Sequence, residues 1–359
     1  MPDFPTTIDA IDAAFLSSVL GHEITEVAAE PVGVSGTLSS GARLRLSSTD
    51  AAAPAAVFAK CAHPSEEIRA VGMQTGMYEK EVRFYETLAR TAGLPIPGCS
   101  LAEYDAASGA FLLLLEDMSD SRVGKLFASD LADVTRVIDE LPSFHAAWWN
   151  DAGLASEPWL WRVDQPPVVE AFHAALQGTA PVTIERFEIG GAFRATAEIV
   201  MGQLPRFAQL WNDRPVTVVH GDLHLQQVFF PTDRDGAAAG RFALFDWQTT
   251  MIANPGADLA RILATNLSAE LRRIHERALV TRYHAGLLAA GVRDYSPEEC
   301  WQDYRLGQVW NLVMVLNAGS VADREQADRA ARASGTTATE FLGRTGAALA
   351  DLEVAALLE

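Results

Sequence analysis

The chain has 359 residues, 49% of them hydrophobic, enough to bury a large core and to form a two-lobed unit or two domains. Lys and Arg number 28 against 47 Asp and Glu, and the net charge of −19 speaks against a sequence-independent grip on nucleic acid or on an anionic membrane and for a small-molecule partner. The three cysteines, Cys61, Cys99 and Cys300, are odd in number and widely spaced, which argues against a disulfide framework or a zinc site and for a reducing, cytoplasmic setting.

The start, MPDFPTTIDAIDAAFL, lacks the basic stretch and apolar run of a secretion signal, and the run FLLLL stops at Glu116, short of a membrane span. ITEVAAEPVGVSG, ARLRLSS and AAVFAK read as successive strands with Gly and Ser turns between them. GMYEKEVRFYETLA then repeats apolar residues at helical spacing. Met77, Glu81, Phe84 and Leu88 fall at i, i+4, i+7 and i+11, while Glu79, Lys80, Arg83 and Glu86 read as surface charges. SLAEYDAASGAFLLLLE reads as a hairpin turning at Ser108 and Gly109. Beyond about residue 121, Ala- and Leu-rich helical segments dominate, interrupted by TVVH, QVFF and RFALFDW. AAAPAA and DGAAAG read as loops. The predicted class is α+β. A sheet lobe over residues 1–116 and a helical lobe over 122–359 are joined by a short link, 117–121, an arrangement that leaves a ligand cleft at the junction.

The stretch VVHGDLHLQQVFF carries the chemistry. Asp222 stands where one apolar strand ends, and Asp246 ends another, sharing a face with Phe242 and Leu244 under period-2 alternation. Each aspartate alone reads first as a turn cap, but a carboxylate at a buried strand end needs a partner or a metal, and the two together weaken the cap reading. Glu81 lies on the apolar stripe of its helix and, if buried, needs a cation; Lys60, on the strand before, supplies one. The alternative is a solvated Glu81 at the edge of the stripe. VGVSGTLSSG, with Gly33, Ser35 and Gly36, reads either as a phosphate-facing loop or as a plain hairpin turn.

Lys60, Glu81, HGDLHLQQ and FDW, in this order, resemble the protein-kinase-like small-molecule kinases: aminoglycoside phosphotransferases, choline kinases and ecdysteroid-kinase-like proteins. LLLLEDM resembles the inter-lobe link of the ecdysteroid-kinase-like branch. The resemblance covers nearly the whole chain and implies a bilobal kinase-like fold with an antiparallel-sheet lobe. It also implies ATP, or alternatively GTP, as phosphate donor with Mg²⁺. Asp222 would orient the acceptor hydroxyl and take its proton, Asp246 would hold Mg²⁺, and Lys60, steadied by Glu81, would contact the α and β phosphates. The carbonyl of Glu116 and the amide of Met118 would bind the adenine edge. Where the family has Asn as second metal ligand, five residues after the catalytic Asp, this sequence has Gln227, which offers the same carbonyl on a longer arm. The same likeness makes His220 a packing residue of the turn and Asp258 a brace from a helix start, for which an ordinary N-terminal helix charge is the alternative. His224 has no assigned role.

The tryptophans Trp148, Trp149, Trp159 and Trp161 read either as core or as the wall of an acceptor pocket. The expected function is transfer of the γ-phosphate to a hydroxyl of an amino sugar, amine alcohol, sugar or lipophilic alcohol. Gln227 motivates the alternative of a catalytically impaired kinase fold that binds nucleotide or ligand. A two-metal phosphoesterase built on GDLH lacks the further ligand segments such a centre requires. The sequence leaves the acceptor and the oligomeric state open.

Overall fold

In the computed structural model, which describes residues 2–32, 38–163, 165–232 and 239–358, Asp12 caps helix α1 (Ala13–Leu20) by accepting a hydrogen bond from the Phe15 amide. Strands β1 (Ile24–Pro31), β2 (Ser39–Ser48) and β3 (Ala56–Ala62) follow. Helix α2 (Glu66–Gln74) and helix α3 (Met77–Arg83) come next, and α3 runs directly into one π-helical stretch, Phe84–Leu88. The hairpin β4 (Cys99–Asp105) and β5 (Ala110–Glu116) completes an antiparallel sheet in the order β1-β2-β3-β5-β4, and a two-residue strand β6 (Arg122–Val123) lies beyond it. The expected loop residues Gly33, Ser35 and Gly36 lie outside the described residues.

Strand β5 sits inside this sheet, between β3 and β4, and every residue from Ala110 to Leu115 is buried. An unbroken apolar run is what a strand covered on both faces requires. Leu112 and Leu114 join Ile11, Leu16, Leu44, Ala59 and Cys61 in the core beneath α1. Phe111, on the other face, packs against Tyr78 of α3 with ring centroids 4.8 Å apart. Each fully buried Leu or Phe here contributes roughly 1.5–3 kcal/mol.

Helices α4 (Leu131–Ala147), α5 (Pro166–Arg186) and α6 (Gly191–Asn212) lead to short strands β7 (Thr217–Val219), β8 (Val228–Phe230), β9 (Ala243–Leu244) and β10 (Met251–Ala253). Five helices close the chain: α7 (Gly256–Asn266), α8 (Ala269–Ala289), α9 (Pro297–Val321), α10 (Arg324–Arg332) and α11 (Ala338–Asp351). Strand β10 pairs antiparallel with β7. The chain divides into two compact units, Met1–Arg122 with Phe229–Thr249, and Val123–Val228 with Thr250–Glu359. The sequence reading assigned everything beyond 121 to the helical part, whereas Phe229–Thr249 clusters with the sheet unit. Within that unit the Leu244 amide donates to the Pro95 carbonyl at 3.0 Å, and Arg241 reaches the Glu116 carboxylate at 2.5 Å. These are tertiary bonds with no signature in local pattern.

In the second unit, α7 is buried at every position, and α9 crosses it at backbone distance. A Cβ on Gly307 would lie 2.0 Å from the Gly256 carbonyl oxygen, and one on Gly256 would lie 2.0 Å from that of Asp303. Only glycine at both positions permits that approach. Because α7 is wholly buried, its polar side chains Asp258, Arg261, Thr265 and Asn266 must find partners inside the protein.

Lys80, expected among surface charges, is 5% exposed. Helix α3 packs against α2, the β4–β5 hairpin and the Trp247–Thr249 turn, so it buries Tyr78, Lys80, Glu81 and Val82 together rather than a single stripe. Burial lowers the Lys80 ammonium from 10.5 to about 7. The unfolded chain therefore holds this proton more tightly, and the stability tied to Lys80 is present above the unfolded value and lost as pH falls through about 7. The Tm of Lys80→Met relative to wild type should accordingly be highest near pH 7 and decline toward pH 10 in thermal melts. A Tm difference that does not vary with pH would contradict a buried ammonium.

Candidate active site

In the first unit, Lys60 holds two carboxylates. Its Nζ donates to both oxygens of Glu81 at 2.7 Å and to Oδ1 of Asp246 at 2.8 Å. Alternation along β3 sends Ala59 and Cys61 into the core beneath α1 and Lys60 to the opposite face, where α3 supplies Glu81 from its buried side. The side chains of Lys60 and Glu81 are 12% and 3% exposed.

Asp246 arrives differently from expectation. The strand that was to carry Phe242, Leu244 and Asp246 on one face ends at Leu244, and Asp246 has a φ of 68°. A non-glycine residue in this left-handed region costs on the order of 1–3 kcal/mol and persists only where its surroundings over-determine it. Two contacts do so here: the bond to Lys60, and the next residue, Trp247, which stacks on Phe84 at 3.9 Å between centroids and 11° between planes. Phe84 opens the π-helical stretch one turn after Glu81, and such stretches often mark functional positions.

With both carboxylates ionised, Lys60, Glu81 and Asp246 together carry one excess negative charge. Burial by itself would lower the Lys60 ammonium, but Asp246 and Glu81 outweigh it and hold the proton more firmly than usual. Burial pushes the Glu81 carboxyl up to about 7; Asp246 adds to this and Lys60 opposes it. A further cation would relieve the excess. The carboxylate oxygens of Asp246 fit Mg²⁺, which is commonly held by one or two carboxylates together with phosphate oxygens and water. Among the described residues no group of three or more His, Cys, Asp or Glu could hold a metal, and an ion shared with a nucleotide does not require one.

In the second unit, α7 and α9 hold the turn after β7. The amides of His220 and Gly221 donate to Asp258 Oδ2 and Oδ1 at 2.8 and 2.9 Å. Gly221 has a φ of 84°, a conformation that glycine adopts without strain, and its carbonyl accepts from Trp310 Nε1 at 2.7 Å. His220 is fully buried, and its Nδ1 accepts from the Asp222 amide at 3.4 Å. Asp222 Oδ1 receives Arg261 Nε at 2.9 Å, while Oδ2 lies 3.7 Å from His224 Nε2. The Leu225 amide donates to Asn266 Oδ1, and that of Gln227 to the His224 carbonyl, both at 2.9 Å. Gln227 is 8% exposed. Asp258 also meets His145 Nε2 at 3.2 Å, and His145 Nδ1 lies 2.6 Å from the Tyr283 hydroxyl.

The structure thus brings Lys60, Glu81 and Asp246 together in one unit and places Asp222, His224, Gln227 and Asp258 around one turn in the other. Glu116 ends β5, its side chain accepting from the Gly98 amide at 2.9 Å. Met118 is buried, and its carbonyl accepts from the Ser121 amide at 2.9 Å. Trp148 and Trp159 are buried, and Trp149 packs edge-on to Tyr295. Trp310 touches the turn through its bond to the Gly221 carbonyl. It was missed, as were Arg261 and His145. Arg261 did carry a signal: in ADLARIL it stands three residues after Asp258, on the same helix face.

Breaking a buried ion pair by removing one partner is strongly destabilising because it strands charge. Lys60→Met should lower the unfolding free energy by about 3–5 kcal/mol, and adding Glu81→Gln should recover part of that loss. Urea denaturation of both variants is the measurement; a Lys60→Met protein as stable as wild type would contradict the charge balance described.

A family model described as "DUF1679: Uncharacterized oxidoreductase dhs-27", which represents an ecdysteroid-kinase-like family, matches residues 213–354. That is less than half of the chain, but it includes the HGDLHLQQ turn and Asp246. No curated protein matches the sequence. Among solved structures, the GDP complex of a variant aminoglycoside 2′-phosphotransferase-IIIa superposes with a TM-score of 0.54 at 12% identity, covering 94% of this chain and 96% of that one. Choline kinase from Cryptosporidium parvum Iowa II gives 0.53 at 11% identity, over 91% of each chain. The gentamicin complex of APH(2″)-IIa gives 0.50 at 13%, over 95% and 99%. At such identities the likeness is one of fold: an antiparallel-sheet N-terminal part and a helical C-terminal part, the kinase-like fold of these small-molecule phosphotransferases.

Proposed function

We propose that the protein is an ATP-dependent phosphotransferase that moves the γ-phosphate to a hydroxyl of a small molecule. The observation that carries this reading is the buried Lys60, shared between Glu81 and Asp246 at 2.7 and 2.8 Å. Phosphoryl transfer needs little covalent help; it needs donor and acceptor oxygens in line and the phosphate charge neutralised. In this reading Lys60, fixed by Glu81, contacts the α and β phosphates. The carbonyl of Glu116 and the amide of Met118 take the adenine edge, and Gly33, Ser35 and Gly36 face phosphate. Asp246 holds Mg²⁺, with the Gln227 amide oxygen as second ligand. When bound, Mg²⁺ neutralises and orients the phosphates. Asp222 orients the acceptor hydroxyl and accepts its proton. GTP is the alternative donor.

The acceptor follows from weaker pointers. An acidic chain favours a cationic acceptor, while the LLLLEDM likeness favours a hydroxylated lipophilic one. Neither nucleic acid nor a membrane is a partner in this reading, and the setting is cytoplasmic. No helix among the described residues is long and apolar enough to cross a membrane. A second reading, a kinase fold that binds nucleotide without turning it over, is favoured by Gln227 in the position where the family pattern has asparagine.

ADP release measured with Mg²⁺ across amino sugars, choline-like amines, sugars and lipophilic alcohols separates the two readings. Asp222→Asn should lower the turnover of the best acceptor by about 10²–10⁴-fold. Nucleotide binding with no Asp222-dependent ADP release would select the binding protein. Asp246→Ala should abolish Mg²⁺-supported turnover. Gln227→Asn should retain activity and Gln227→Ala impair it; equal activity in these two variants would take Gln227 out of the metal shell.

A further inference from the structure

Asp222 is not left to its own rotamer. Arg261 Nε donates to its Oδ1 at 2.9 Å, and Arg261 is itself 5% exposed. Its Nη1 donates to Thr265 Oγ1, one turn further along α7, at 2.9 Å and to Asn311 Oδ1 of α9 at 3.3 Å. Asn311 in turn donates to Thr345 Oγ1 of α11 at 3.4 Å. The guanidinium is therefore fixed by two helices, and its partner on α9 by a third. One face of α7 grips the turn twice, Asp258 through the His220 and Gly221 amides and Arg261 through the Asp222 carboxylate.

We infer that Arg261 is a positioning residue: by pinning Oδ1 of Asp222 it presents Oδ2 as the oxygen that meets the acceptor hydroxyl. This rests on the phosphotransferase reading. Oδ2 lies 3.7 Å from His224 Nε2, beyond hydrogen-bonding range. In the reaction, the acceptor O–H proton passes to Oδ2 as the acceptor oxygen bonds to the γ-phosphorus and the bond from phosphorus to the bridging oxygen breaks, leaving ADP. A carboxylate free to turn about its χ angles would present neither oxygen reliably, and a misplacement of about 1 Å can cost about 10²-fold in rate. Lysine could supply the charge, but its ammonium cannot span Asp222, Thr265 and Asn311 as the planar fork does.

The test compares Arg261→Met and Arg261→Lys in the full-length protein by steady-state kinetics, thermal melting and crystallography. Arg261→Met should lower kcat by about 10²-fold with KM for nucleotide unchanged, and Arg261→Lys should recover at least part of that loss. Crystals of Arg261→Met should show the Asp222 carboxylate turned from its wild-type position. A carboxylate that stays in place, or a kcat that does not fall, overturns the inference. So does a loss that is equal in both variants and tracks their loss of folded protein. If Arg261→Met does not fold, Arg261→Lys carries the same measurements, with a smaller shift of the carboxylate and a smaller fall in kcat expected. Should the wild type show no Asp222-dependent ADP release, the phosphotransferase reading falls by itself, while the crystallographic comparison still decides whether Arg261 positions Asp222.

Discussion

One buried ammonium organises the sheet unit. Lys60 satisfies Glu81 and Asp246 together, and Glu81, whose side chain is 3% exposed, would be costly to bury without that bond. The arrangement constrains much else. Strand β3 must keep its register against β2 and β5, with Lys60 opposite Gly41 and Leu113, so that the side chain leaves the face packed beneath α1. Helix α3 must turn Glu81 inward. The segment after β9 must enter a left-handed conformation at Asp246, and the stacking of Trp247 on Phe84 supplies the packing that holds it there. With both carboxylates ionised, Lys60, Glu81 and Asp246 carry one excess negative charge.

The helical unit solves a different problem by related means. Its turn carries buried backbone groups, and α7 satisfies them from its polar positions. Asp258, Arg261 and Thr265 recur at helical spacing, and Asn266 reaches Leu225 from the helix end. The glycine contact between Gly256 and Gly307 brings α9 close enough for Trp310 and Asn311 to add to the grip. A turn held by several hydrogen bonds from rigid helices keeps its side chains in fixed positions.

Much of this was legible beforehand. The strands and their hairpin follow from alternation and turn residues, and the pairing of Lys60 with Glu81 follows from the cost of a carboxylate on an apolar stripe. Other parts were not. A single-stripe pattern puts Lys80 on the surface because it assumes one buried face, whereas α3 is covered on several sides. The regular alternation expected through Asp246 does not hold: the strand ends at Leu244, and Asp246 takes a left-handed conformation. Arg261 and Trp310 are ordinary helix residues by pattern, and their relation to Asp222 and Gly221 exists only once α7 and α9 pack.

By itself, the order of residues determined the α+β class, the sheet-then-helix sequence of elements, and the need of Glu81 for a cation. These are consequences of local period and of the cost of burying charge, both of which can be read within a few turns of chain. The tertiary structure alone decided that Phe229–Thr249 returns to the sheet unit, that Asp246 shares an ammonium with Glu81, and that a buried guanidinium holds Asp222. Such contacts join residues as much as 186 positions apart, and no local propensity encodes a partner at that separation.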